Sequence, residues 1–94
     1  MLNKISHRSA NLSWESPGIS GGLIIRYTLH ASPYTKDRNS SQGIFGADQF
    51  IGEVKGLQPA TQYLFQIEAF TRKGSIMSDG VNGTTENAGN LSYF

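Results

Sequence analysis

The stretch that decides the fold is GLQPATQYLFQIEAF, residues 56–70. From Tyr63 onward it alternates as a strand does. Tyr63, Phe65, Ile67 and Ala69 fall on one face, and Leu64, Gln66, Glu68 and Phe70 on the other. Just ahead stands Pro59, within the spacing Leu57-x-Pro59-x-Thr61-x-Tyr63. Proline fixes φ and withholds a backbone donor, so it closes the strand before it. The segment therefore reads as the end of one strand, a turn, and a longer second strand.

Outward from there the same grammar recurs. SANLSWE (9–15) puts Ala10, Leu12 and Trp14 on one face and Asn11 and Ser13 on the other. LIIRYTLHA (23–31) turns Tyr27, Leu29 and Ala31 inward and Arg26, Thr28 and His30 outward, with Ile24 joining the core at the strand's entry. SPGISGG (16–22) between them is a loop by composition. Leu2 and Ile5 suggest a short first strand, and SPYTKDRNSSQG (32–43) a loop or weak edge strand. IFGADQFIGEVKGL (44–57) holds two short strands, with Phe50, Val54 and Leu57 expected in the core. TRKGS (71–75) is a turn, and IMSDGVNGTTE (76–86) a last, irregular strand. No segment keeps helical apolar spacing over three turns. Short strands punctuated by turns predict an all-β sandwich or barrel. Its expected core is Leu12, Trp14, Tyr27, Leu29, Val54, Leu57, Tyr63, Phe65 and Ile67.

Composition bounds what such a module does. Ninety-four residues make one domain. With no cysteine and two isolated histidines, His7 and His30, the core has to hold by packing alone, helped by its ten aromatic residues. A net charge of +1, spread singly, gives no basic stripe for nucleic acid and no polybasic membrane patch. No apolar run reaches the roughly 18 residues of a spanning helix, so direct membrane insertion is not expected. The start, MLNKISHRSAN, has no apolar signal-peptide region, and the chain is expected to be a piece of something longer.

Absence of cysteine argues for a reducing compartment. The asparagines argue the other way. Four of six head Asn-x-Ser/Thr sequons, namely Asn11, Asn39, Asn82 and Asn90, where about one is expected at this serine and threonine content. The excess points to a secreted, glycosylated domain. The competing reading is that NSS and NGT are merely turn-rich strings.

These residues together resemble the fibronectin type III family. SANLSWESP resembles its second strand, with a core Trp followed by Pro, and IIRYTLHA resembles its third, whose Tyr packs near that Trp. VKGLQPATQYLFQIEAFTRKG resembles the passage from fifth strand to sixth, and MSDGVNGTTE the last strand. The resemblance implies a seven-stranded antiparallel β-sandwich of immunoglobulin-like type over residues 1–86, its first strand short, with 87–94 a tail or interdomain linker. It also implies that Tyr63 is a tyrosine corner, whose hydroxyl bonds to backbone a few residues upstream. The Cys…Trp…Cys framework of true immunoglobulin domains is missing.

Chemistry is sparse. His30 reads as a solvated surface histidine, and His7 lies near the chain start. Asp37, Asp48 and Asp79 make no calcium loop. GISGG lacks the Lys-Ser/Thr of a phosphate loop, and no serine has a base and orienter. No catalytic, metal or cofactor site is expected, and no cofactor. What remains are loops and patches. In the family, the loop matching 71–75 carries Arg-Gly-Asp in an integrin-binding member. Here Gly74 is followed by Ser75, so integrin binding does not carry over. Arg72, Lys73 and Gly74 form the candidate binding loop, with other protein domains as expected partners and sulfated glycans as weaker ones. Phe70 and Leu64 face outward and are expected to be covered by the 32–49 region, a neighbouring domain or a partner. The resulting expectation is a non-catalytic extracellular module for adhesion, protein contact or domain spacing. The alternative is an accessory module of a secreted microbial carbohydrate-active enzyme. An engineered scaffold is disfavoured because its loops would be rich in Tyr and Ser.

Overall fold

The computed structural model describes residues 1–16, 23–35 and 39–87. Their regular structure is all β: β1 (Leu2–Ile5), β2 (Ser9–Ser13), β3 (Arg26–Pro33), β4 (Ser41–Gly46), β5 (Ile51–Lys55), β6 (Gln62–Thr71), β7 (Gly74–Met77) and β8 (Val81–Thr84). β1, β2 and β5 form one antiparallel sheet in that order. β4, β3 and β6 form the other, and β7 and β8 both pair with the far side of β6. The two sheets stack as a sandwich, the class of architecture that alternation in short strands specifies.

β7 and β8 are two lengths of one final strand, so the seven-strand plan appears as eight hydrogen-bonded segments. Ser78 causes the break. Its backbone N–H donates to the Ile67 carbonyl (2.8 Å), and its hydroxyl accepts from the Ile67 N–H (3.0 Å). A side chain thus stands in for a ladder carbonyl, and regular pairing resumes only at Val81. The 32–43 region is less of a loop than its composition suggests. β3 runs on to Pro33, and Ser41 and Gln42 already pair with Ala31 and His30. Among the described residues β4 pairs only with β3 and is an edge, where polar residues are the rule because they discourage further pairing.

The core is the set of facing alternate positions. Ala10, Leu12, Trp14 and Val54 from one sheet meet Tyr27, Leu29, Ala31, Tyr63, Phe65 and Ala69 from the other, and Leu57 is fully buried under the turn. Ile67 is half-buried and packs against this cluster. Trp14 tilts against Tyr27 at 5.8 Å and against Phe45 at 5.4 Å between ring centroids. Phe45 in turn lies against Gly52, where a Cβ would come within 2.5 Å of the ring. Phe50 departs from expectation: it is 42% exposed. It precedes β5, and its backbone carbonyl holds the Trp14 N–H while its ring only abuts Tyr27, 6.0 Å away. Thr28, expected outward, does point away from the core, yet it is buried.

Candidate functional site

The corner around Tyr63 is built first by the backbone. Pro59 and Ala60 make the turn, with Ala60 at φ +51°. The Tyr63 hydroxyl accepts from the Gln58 N–H at 2.8 Å. Thr61 donates its hydroxyl to the Pro59 carbonyl (2.9 Å), and its N–H donates to Thr85 Oγ1 (2.9 Å). Thr85 Oγ1 donates to the Gln58 carbonyl at 2.5 Å. Thr85, buried just past β8, ties the corner to the last strand, a role that nothing in its sequence position announces. The hydroxyls of Tyr63, Thr61 and Thr85 are all engaged with backbone of the turn, pairing groups that a sheet-to-sheet crossover would otherwise leave unpaired.

The densest cluster of chemical side chains lies on the outer face of β3, β6 and β7. His30 is half-buried rather than solvated, and its Nε2 sits 2.9 Å from Glu68 Oε1. Ser75 donates to Glu68 Oε2 at 2.6 Å. The Ser75 hydroxyl, and then the His30 contact, hold the Glu68 carboxyl below its ordinary range. Serine, histidine and carboxylate are thus adjacent, but in an order unsuited to nucleophilic catalysis. Glu68 stands between the other two, so His30 neither accepts the serine's proton nor is oriented toward it. The arrangement is a cross-strand tie: His30 and Glu68 come from diagonal positions of the β3–β6 register. That diagonal was readable only once the register was fixed.

The outward apolar pair on β6 is covered from within the fold. The Arg26 guanidinium lies 4.0 Å from the centroid of the Phe70 ring. Leu64 packs on Gly80, where a Cβ would fall 2.2 Å from Leu64 Cδ1. Neither contact involves the 32–49 region.

Arg72 and Lys73 form the exposed turn between β6 and β7, with Gly74 at φ +143° closing it. The ion pairs among the described residues are His30–Glu68 and Lys55–Glu53, so neither turn cation has an ionic partner there. Ile76 and Met77, both largely exposed, follow directly on β7. With Tyr27, Ile67 and Ala69 they line an open apolar groove beside Glu15 and Ser16. The Tyr27 hydroxyl is buried with no hydrogen-bond partner among the described residues.

Among the sequons, Asn11 is half-buried on the middle strand of the smaller sheet and its Oδ1 accepts from Asn3 Nδ2 (3.2 Å). Asn39 is exposed ahead of β4. Asn82 is exposed on β8, and its Oδ1 accepts from the Tyr34 hydroxyl. Asn90, Asp37, most of the 16–22 loop and residues 88–94 lie outside the described residues. His7, Asp48 and Asp79 are exposed, and no three His, Cys, Asp or Glu side chains gather as a metal group among the described residues.

Two antiparallel sheets, a tyrosine corner and a core Trp–Tyr pair define an immunoglobulin-like β-sandwich module. The sequence model described as the fibronectin type III domain matches residues 2–83, and the chain belongs to that family. It is 35% identical over 71 residues to ephrin type-A receptor 5 of Rattus norvegicus, a match covering 76% of this chain and 7% of the receptor. It is 28% identical over 95 residues to usherin of Rattus norvegicus, covering 80% of this chain and 2% of usherin. Among solved structures, the FN5 domain of Drosophila Lar superposes with a TM-score of 0.75 at 28% identity, covering 94% of this chain and 91% of that one. The chain therefore spans a small fraction of the curated relatives it matches.

Proposed function

We propose that this chain is a non-catalytic module in the extracellular part of a larger multidomain protein, where it serves protein contact and domain spacing. The observation that carries the reading is the relation to ephrin type-A receptor 5, in which a stretch of this size is 7% of a receptor. The site chemistry supports it, because the one Ser–His–carboxylate cluster described is a structural tie. The domain runs to Glu86, whose carbonyl accepts from the Ala60 N–H (2.9 Å) and whose N–H donates to the Ser6 carbonyl (3.2 Å).

The contact surface is the Arg72-Lys73-Gly74 turn with the apolar Ile76 and Met77 beside it. Paired cations next to exposed apolar side chains suit a protein partner with an acidic rim and an apolar centre. A sulfated glycan would use the cations alone. The decisive experiment places an epitope tag within the Arg72-Lys73 turn of the protein that bears this domain. Antibody staining of living, unpermeabilised cells is expected. Staining that appears only after permeabilisation would refute the extracellular reading.

A further inference from the structure

The geometry points to Asn82 as an N-glycosylation site whose first sugar rests on the ring of Tyr34. The sequence alone leaves Asn82-Gly83-Thr84 open to being a turn string, and the structure removes that explanation. The three residues lie within β8, paired to Leu64, Tyr63 and Gln62 of β6. Gly83 points inward, and a Cβ there would come within 2.8 Å of Leu2 Cδ2 and 3.2 Å of Phe65 Cε2. Core packing therefore demands the glycine. Asn82 and Thr84, one residue to either side, both project into solvent on the opposite face, as strand alternation requires.

Tyr34 supplies the second observation. It is 54% exposed, yet its hydroxyl reaches the carboxamide of Asn82 and engages Oδ1. That bond occupies Oδ1, and the amide nitrogen, Nδ2, is the other polar atom of the same exposed carboxamide. An exposed aromatic ring is thereby held one hydrogen bond from the carboxamide that would carry an N-linked sugar, and an aromatic face is an apolar surface of the kind on which the C–H side of a pyranose packs. Asn11 has no such platform: its oxygen is held by Asn3, and its register partners are Lys4 and Glu53. In the reaction, Nδ2 attacks C1 of the reducing-end N-acetylglucosamine on a lipid-pyrophosphate-linked oligosaccharide. The N–C bond forms, the C1–O bond to pyrophosphate breaks, the amide loses one proton, and the lipid pyrophosphate leaves.

This inference rests on the extracellular reading, because that donor belongs to the secretory pathway. The test expresses the chain behind a secretion signal in mammalian cells and recovers it from both medium and microsomes. N-glycans are removed enzymatically in heavy-oxygen water, and the labelled aspartates are mapped. Asn82 is expected to be labelled in most molecules, and Asn82→Gln to abolish that species. A second arm trims the glycan to one N-acetylglucosamine and compares urea midpoints with the sugar-free chain. A higher midpoint is expected with Tyr34 and no gain in Tyr34→Ala. Modification of Asn11 or Asn39 with Asn82 bare overturns the proposal and leaves the extracellular reading standing. A chain bare at every sequon in both fractions also overturns it, and the live-cell staining then judges the extracellular reading separately. A glycan on Asn82 whose stabilising effect survives Tyr34→Ala overturns the role of Tyr34.

Discussion

The hydroxyl of Tyr63 accepts the backbone N–H of Gln58 at 2.8 Å, across the turn that carries the chain from one sheet to the other. Tyr63 is itself fully buried. In Tyr63→Phe the ring stays packed but the Gln58 N–H loses its partner. Stranding a partly buried donor costs about 1–3 kcal/mol. Equilibrium urea unfolding should show a lower midpoint with an unchanged slope. A midpoint equal to wild type would mean that water replaces the hydroxyl, and that the corner is held by Thr61 and Thr85 instead.

Gly52 is the tightest point in the smaller sheet. A methyl there meets Phe45 Cε1 and Cζ at 2.5 Å, and Phe45 is wedged against Trp14. Gly52→Ala should therefore cost about 1–3 kcal/mol, the usual range for overpacking, and shift the emission of the single tryptophan. Gly46→Ala is the matched control, since its nearest contacts would be at an ordinary 3.5 Å. Equal stability of the two variants would show that Phe45 moves aside without cost.

Much of this architecture is legible in the sequence because β6 is long and faces a core on one side only. Its alternation survives without any neighbour being known, and the Leu57-x-Pro59-x-Thr61-x-Tyr63 spacing fixes where it begins. What is not legible depends on register. The tie between His30 and Glu68 joins residues 38 positions apart and exists only because β3 and β6 align as they do. Phe50 illustrates another limit: an aromatic beside a strand reads as core, yet here the ring abuts Tyr27 from a turn whose geometry the composition does not encode. The cover over Phe70 and Leu64 depends on register too, since Arg26 comes from β3 and Gly80 from the link between β7 and β8.

Ala60 carries a left-handed backbone, φ +51°, at the turn position after Pro59. That position favours glycine because a Cβ there meets the backbone. Replacing Ala60 by Gly relieves about 1–2 kcal/mol of steric cost and adds about 0.4–1 kcal/mol of unfolded-chain entropy. The net expectation is a gain of about 0.5–1 kcal/mol, read as a raised urea midpoint. Destabilisation would mean that the Pro59–Ala60 turn owes its rigidity to the methyl group.

Glu68 gives the domain an acid limb. The Ser75 hydroxyl first, and His30 second, stabilise its charged form in the folded state, so its folded pKa lies below the unfolded value of about 4.3. Protons then bind the unfolded chain more readily than the folded one. The contribution of Glu68 is thus present above the unfolded value and is lost as pH falls through the folded one. Urea midpoints measured from neutral pH down to about pH 3 should converge for wild type and Glu68→Gln at the acid end. Above the unfolded carboxyl value wild type should be the more stable. Ser75→Ala should flatten the acid limb more than His30→Gln, because the serine contact is the larger cause. The opposite ranking would make the imidazole, rather than the hydroxyl, the group that holds the carboxylate ionised. A wild-type midpoint that rises on acidification would show that Glu68 is more easily protonated in the fold than in the open chain, and would reverse the sign of this prediction.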